Sequence, residues 1–142
     1  MNRLLLLFGM YLLCHNIFAQ GSTSVENEPL RIVFQVTTDD TLAHKALMKQ
    51  LTNITSVEPA VQIEVICHGP GLTLIQKSKS LQKEKIALFA SRGVAFKACE
   101  FSMSERKVSK DDILEAAGYV RAGIVHIADL QRKGWSYIKA GF

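Results

Sequence analysis

The sequence predicts an α/β fold, a three-layer α/β/α sandwich around a five-stranded, mostly parallel sheet. Short β-branched and apolar runs alternate along the chain with stretches whose apolar residues recur at helical spacing. The helical stretches are long enough to act as crossovers, which parallel pairing requires. Length agrees, since 142 residues is one domain's worth.

The elements follow in order. Residues 31–36 (RIVFQV) are short, β-branched-rich and bounded by Thr-Thr-Asp-Asp, so they form a strand. Thr38 to Thr41 offers several N-cap residues. Behind them Leu42, Ala43, Ala46, Leu47, Met48, Leu51 and Ile54 share one helical face, and Glu58-Pro59 ends that helix. Asp39-Asp40 fits N-capping better than cation binding. Residues 61–67 (VQIEVIC) are a second strand, stopped by His68-Gly69-Pro70-Gly71, and residues 72–76 fit a helical turn. A helix over 81–92 is closed by Gly93 as a left-handed cap, and residues 94–98 are the third strand. Residues 100–107 read as a flexible polar loop. Ser109-Lys110-Asp111-Asp112 resembles a capping box and predicts a helix through Ala117. Residues 119–121 leave room for a short strand. Residues 123–133 carry both strand and helix signals; Arg132, Lys133 and a terminal Gly134 favour helix. On that helix His126 falls away from the apolar face, where surface or subunit contact is expected. Residues 135–139 (WSYIK) are the last strand, at a sheet edge.

Composition excludes several classes. Apolar residues make up 48% of the chain, too many for a disordered one. Three cysteines are too few for a disulfide scaffold. A net charge of +4 with no basic run, and no aromatic-basic alternation, gives no reason to expect nucleic acid.

The first residues read as targeting rather than fold. Arg3 is a positive n-region, Leu4 to Leu13 an apolar run, and Ile17-Phe18-Ala19 a cleavage site before Gln20. Residues 1–19 are therefore expected to be a signal peptide, 20–29 a flexible leader and 30–142 the domain. The apolar run is shorter than the ~20 residues of a spanning helix, and Leu13 lacks the small side chain a lipoprotein cysteine at Cys14 would want before it. A periplasmic or secreted protein with no membrane attachment after cleavage is expected, carrying Cys67 and Cys99 into an oxidising compartment.

Parallel sheets place ligand sites at the carboxyl ends of their strands. That selects the loops 37–41, 68–72 and 99–108. Cys99 leads among their residues. A thiolate is the reactive form, neighbouring positive charge favours it, and Lys97, Arg106, Lys107 and His68 are the candidates to supply that charge. A half-buried cysteine acting as a small hydrophobe is the plain alternative. Cys67 ends the neighbouring strand and is a candidate redox partner, a buried free thiol or a structural bridge. Gly69 and Gly71 fit a turn needing left-handed backbone better than a phosphate cradle, because dinucleotide and P-loop spacings are both absent. His44, Cys67, His68 and Cys99 lack metal-ligand spacing, so neither metal nor cofactor is expected.

The fragments RIVFQV (31–36), VICHGPGL (65–72), GVAFKAC (93–99), Ala122-Gly123, Leu130-Gln131 and GWSYI (134–138) together resemble the DsrE/DsrF-like family over about residues 30–139. The resemblance implies an α/β/α fold and homotrimers, hexamers or hetero-oligomers. It also implies a persulfide carried on a cysteine after a core strand, a position that Cys99 matches. The sequence after Cys99 differs from that of the sulfur-relay members, which are not exported. Two readings follow. One is an exported sulfur or thiol relay through Cys99, supported by His68 and Arg106, with a thiol or sulfur donor or acceptor protein as partner. The other is a non-catalytic homo-oligomer that binds a small ligand or serves a structural role.

Overall fold

The computed structural model describes residues 28–141. The expected signal peptide and most of the leader lie outside the described residues. Among the described residues, five strands and four α-helices alternate. They are β1 (Arg31–Val36), α1 (Thr41–Val57), β2 (Gln62–Cys67), α2 (Lys83–Ser91), β3 (Ala95–Cys99), α3 (Glu100–Glu105), β4 (Ala117–Val120), α4 (Gly123–Arg132) and β5 (Ser136–Ala140). A 3-10 helix, Gly69–Ile75, follows β2, and a 3-10 turn, Lys110–Asp112, precedes β4. All strand pairs are parallel, in the order β4-β3-β2-β1-β5. All five strands therefore end at the same edge of the sheet, as the alternation predicted.

The sheet divides the core into two unequal parts. On one face Phe34, Val36, Val65, Cys67, Phe96 and Ala98 pack against Leu47, Met48 and Leu51 of α1, Ile86 and Phe89 of α2, and Met103 of α3. On the other face Val33 and Ile66 pack against Ile127 and Leu130 of α4, with Val120 and Trp135 at the margin. Chain order explains the asymmetry. The chain runs outward from β1 to β4, then crosses through α4 to place β5 on the far side of β1.

Helix starts follow local chemistry. Asp40 caps α1, its Oδ1 accepting from the Leu42 N–H at 2.8 Å. Leu42 itself is 68% exposed, and buried His44 takes a place on the inner face. The ring Nε2 of His44 sits 2.8 Å from the Thr38 carbonyl oxygen, which satisfies its burial. Ser80 Oγ accepts from the Gln82 N–H at 3.2 Å and holds that stretch as a turn, so α2 begins at Lys83 rather than at Leu81. Gly93 adopts φ +95 after α2, the left-handed turn its position predicted.

Two expectations between β3 and β4 are corrected. Residues 100–107 are not a loop, because Cys99 stands at the N-cap of α3. The sequence hid this helix because Lys107, not a glycine, takes the left-handed position at its end, with φ 54. Conversely, the expected helix over 109–117 does not form. The Asp112 carboxylate accepts from Gln76 Nε2 at 2.9 Å and from the Ser78 N–H and Oγ at 3.0 Å each. The backbone joins in, with Lys77 N–H donating to the Asp112 oxygen and Leu114 N–H to the Ile75 oxygen. Long-range pairing with residues 75–78 outcompetes a local helix whose box residue is already used.

Burial alone would raise the Asp112 carboxyl, but its bonds from Gln76 and Ser78, with the nearby Lys79 charge, hold it below 3.8. The stabilising contribution is therefore present above that value and is lost as pH falls through the folded one. Asp112→Ala should cost about 1 kcal/mol near neutrality, given its largely solvated position. Urea unfolding should show the gap to wild type closing as pH falls below the ordinary carboxyl value of 3.8; a gap that does not change with pH would contradict this role.

Candidate functional site

The site lies where β1, β2 and β3 end together. After Val36 and Cys67 the two chains approach closely: His68 N–H donates to the Val36 oxygen at 3.1 Å. A Cβ on Gly71 would sit 2.1 Å from that same oxygen, so only glycine fits there. Gly69 takes φ +53, the left-handed turn expected of it. Both glycines thus shape the loop, and Gly69 also reaches the next strand end: its N–H donates to Ser102 Oγ at 2.9 Å.

Cys99 is the centre of this edge. It ends β3 opposite Val120 of β4 and is 5% exposed. Its Sγ accepts from the Gly123 N–H at 3.2 Å, at the start of α4. A Cβ on Gly123 would approach Cys99 Cβ to 3.3 Å, Ile66 Cγ2 to 3.2 Å and His68 Cβ to 3.5 Å. The missing side chain lets helix, thiol and imidazole share one corner. Burial pushes the Cys99 thiol up, but hydrogen bonds from the Ser102 and Gly123 backbone, the Ser102 hydroxyl and the Phe101 backbone outweigh it. The net result is a thiol below its ordinary value, which raises the share of thiolate at any given pH.

His68 is half-buried on the same side. Gln35 Nε2 lies 2.7 Å from His68 Nε2, and the Tyr137 hydroxyl donates to Gln35 Oε1. The chain of bonds orients the Gln35 amide and assigns the His68 proton to Nδ1. Burial lowers the His68 pKa, so the ring is neutral at neutral pH. Any support it gives to Cys99 is therefore hydrogen bonding, not charge.

The remaining expected residues separate. Cys67 is fully buried among the core side chains of the α1 face, and burial pushes its thiol far up. Its register partner on β3 is Ala98, so Cys99 projects from the opposite face. Both cysteines are free. Arg106 stands exposed at the far end of α3 from Cys99, and that helix keeps it from supporting the thiol as expected. Lys97 also turns elsewhere: its Nζ pairs with Glu64 at 3.2 Å. His126 is likewise corrected, because its Nε2 lies 2.7 Å from Glu64 Oε2 on the sheet rather than outside the helix. No group of acidic, cysteine and histidine side chains among the described residues is arranged to hold a metal ion.

Residues 31–140 match the DsrE/DsrF-like family, nearly the whole described chain. The chain belongs to that family. A DsrE-like likeness also appears in solved structures. A protein of unknown function from Methanobacterium thermoautotrophicum, MTH1491, is 28% identical and superposes with a TM-score of 0.74, covering 78% of this chain and 98% of that one. The YchN protein of E. coli superposes with a TM-score of 0.64 at 9% identity over 79% of this chain and 98% of its own, a likeness of fold alone. No curated protein matches.

In this DsrE-like chain the sequence reading missed Ser102, Gly123, Gln35 and Tyr137. Gly123 carried a usable signal, a glycine opening a helix where no turn needs one, whereas Ser102 lies on a helix that the sequence hid. Gln35 and Tyr137 carried none, since 102 residues separate them.

Ser102→Ala tests the thiolate environment. The Cys99 pKa should rise, and alkylation by iodoacetamide near neutrality should slow about two- to tenfold, the range of one hydrogen bond of about 0.5–1.5 kcal/mol. An unchanged pH midpoint for alkylation would remove Ser102 from the site.

Proposed function

We propose that this DsrE-like protein is an exported sulfur carrier that holds a persulfide on Cys99. The observation supporting it is the set of donors around Cys99 Sγ, which favours a thiolate in spite of burial. Loading then needs no outside oxidant. The Cys99 thiolate attacks the outer sulfur of a donor persulfide R–S–SH. A new S–S bond forms as the donor's S–S bond breaks, and R–S⁻ leaves, so Cys99 carries the S–SH group. Delivery is the reverse exchange with an acceptor thiolate. Neutral His68 beside Gly123 serves as a hydrogen-bond donor rather than a charge. Export rests on the Arg3, Leu4–Leu13 and Ala19 pattern and predicts a mature chain beginning at Gln20.

Mass spectrometry of the protein incubated with a small persulfide donor should show one added sulfur, located on Cys99 and absent from Cys99→Ser. That variant should fold, because the change at a strand end opens little space. Iodoacetamide should modify Cys99 well before fully buried Cys67. The 5% exposure of Cys99 favours the second reading, a non-catalytic ligand-binding or structural assembly. That reading takes over if Cys99 neither loads sulfur nor alkylates faster than a cysteine in an unfolded peptide.

Proteins of this family are commonly oligomeric. We propose a homotrimer or hexamer here, supported by the exposed edge strand β5 with Tyr137 and Ile138 on its surface. Sedimentation equilibrium at tens of micromolar should show it, and a pure monomer would exclude it.

A further inference from the structure

On its own side of the sheet α4 lies over β1 and β2, and a cleft of about 470 Å³ opens beside the helix, toward β3 and β4. Lys97 and Val120 line its floor, with Arg121, Ala122, His126 and Asp129 around it. Two of these residues join the cleft to Cys99. Val120 is the register partner of Cys99, and Ala122 directly precedes Gly123, whose N–H reaches Sγ. The volume falls in the range of small-molecule sites, about 300–1,000 Å³.

The charges of the cleft do not cancel. Glu64 is matched by Lys97 at 3.2 Å and also contacts His126, and Asp129 is matched by Arg132 at 3.2 Å. Arg121 has no carboxylate partner among the described residues. It is nevertheless held in place. Its carbonyl accepts from the Phe101 N–H at 3.3 Å, and its guanidinium lies 5.0 Å over the Phe101 ring. Stacking uses the face of the guanidinium and leaves its N–H edges free to grip an anion.

We infer that this cleft is an anion-binding subsite for the Cys99 reaction, with Arg121 as its specificity residue. Its ligand is a low-molecular-weight sulfur compound that carries an acidic group close to its sulfur. The inference rests on the sulfur-carrier reading and narrows it from any thiol or persulfide to an anionic one. Arg121 takes the acidic group, and the sulfur lies toward Cys99.

Two alkylating agents of nearly equal shape separate these claims: iodoacetate is anionic and iodoacetamide neutral. The readout is the ratio of their rates at Cys99, compared with the same ratio for an unstructured cysteine peptide. The wild-type ratio should exceed the peptide's by about fivefold, the effect of one nearby unit charge in a water-like medium, and should fall with added salt. Arg121→Gln should return it to the peptide value, and Arg121→Lys should keep part of the preference. A wild-type ratio equal to the peptide's, or one unmoved in R121Q, overturns the subsite while leaving the sulfur-carrier reading intact. If neither reagent modifies Cys99, the sulfur-carrier reading fails and the subsite falls with it.

Discussion

The approach of the Gly123 backbone to Cys99 is the contact on which the site depends. It joins the first residue of α4 to the last residue of β3, two positions 24 residues apart in the chain. The absence of a side chain at position 123 eases it: a Cβ there would crowd Ile66 at 3.2 Å and Cys99 at 3.3 Å, so both would have to shift slightly. The same closeness sets the path of α4. The helix starts at the thiol and crosses β2 and β1 to reach the opposite edge, where β5 begins. One absent methyl group thus favours both the donor to the sulfur and the cover over the second core.

Around that contact, two opposing effects act on the thiol. Removing a thiolate from water is unfavourable, and Cys67 shows the outcome when nothing opposes it. Cys99 has little exposed surface but sits at the edge of the sheet rather than inside the core, so desolvation weighs less on it and its balance has the other sign. Hydrogen bonds to a charged group contribute about 1.5–3 kcal/mol each, so a few well-placed donors overcome partial desolvation. The donors come from two places in the chain: the first turn of α3, with the Phe101 and Ser102 backbone and the Ser102 hydroxyl, and the start of α4. Ser102 also accepts from Gly69, which ties the β2 loop to the same arrangement. The neutral state of His68 has a simple cause, since burial in this corner disfavours the imidazolium.

The fold was legible because its signals are local. Alternation of apolar runs and helical faces, with Gly93 and Gly134 marking helix ends, locates the five strands within one or two residues. The ambiguous stretch 123–133 resolves as a helix, in line with its basic end and terminal glycine. Cys99 at a strand end was legible for the same reason. What failed depended on partners far away in sequence. The capping box at 109–112 was real as a pattern, but Asp112 bonds to residues 76 and 78 instead. Lys107 in a left-handed turn carried no glycine to announce it, so α3 read as a loop. Arg106 and Lys97 were assigned by nearness in sequence. A helix and a cross-strand carboxylate, neither visible from sequence alone, direct them away from the sulfur.

Cys67 and Cys99 end adjacent parallel strands, yet they differ by one step in register, since Ala98 faces Cys67 and Val120 faces Cys99. In a pleated sheet, one step is a change of side. Among the described residues the chain therefore holds no resolving thiol for Cys99. A sulfenic acid formed there would have no neighbour with which to condense, and would persist until a second molecule reduced it or further oxidation made it permanent. Alternation along a strand, a rule about shape, becomes a rule about repair: the chemical recovery of this cysteine is intermolecular.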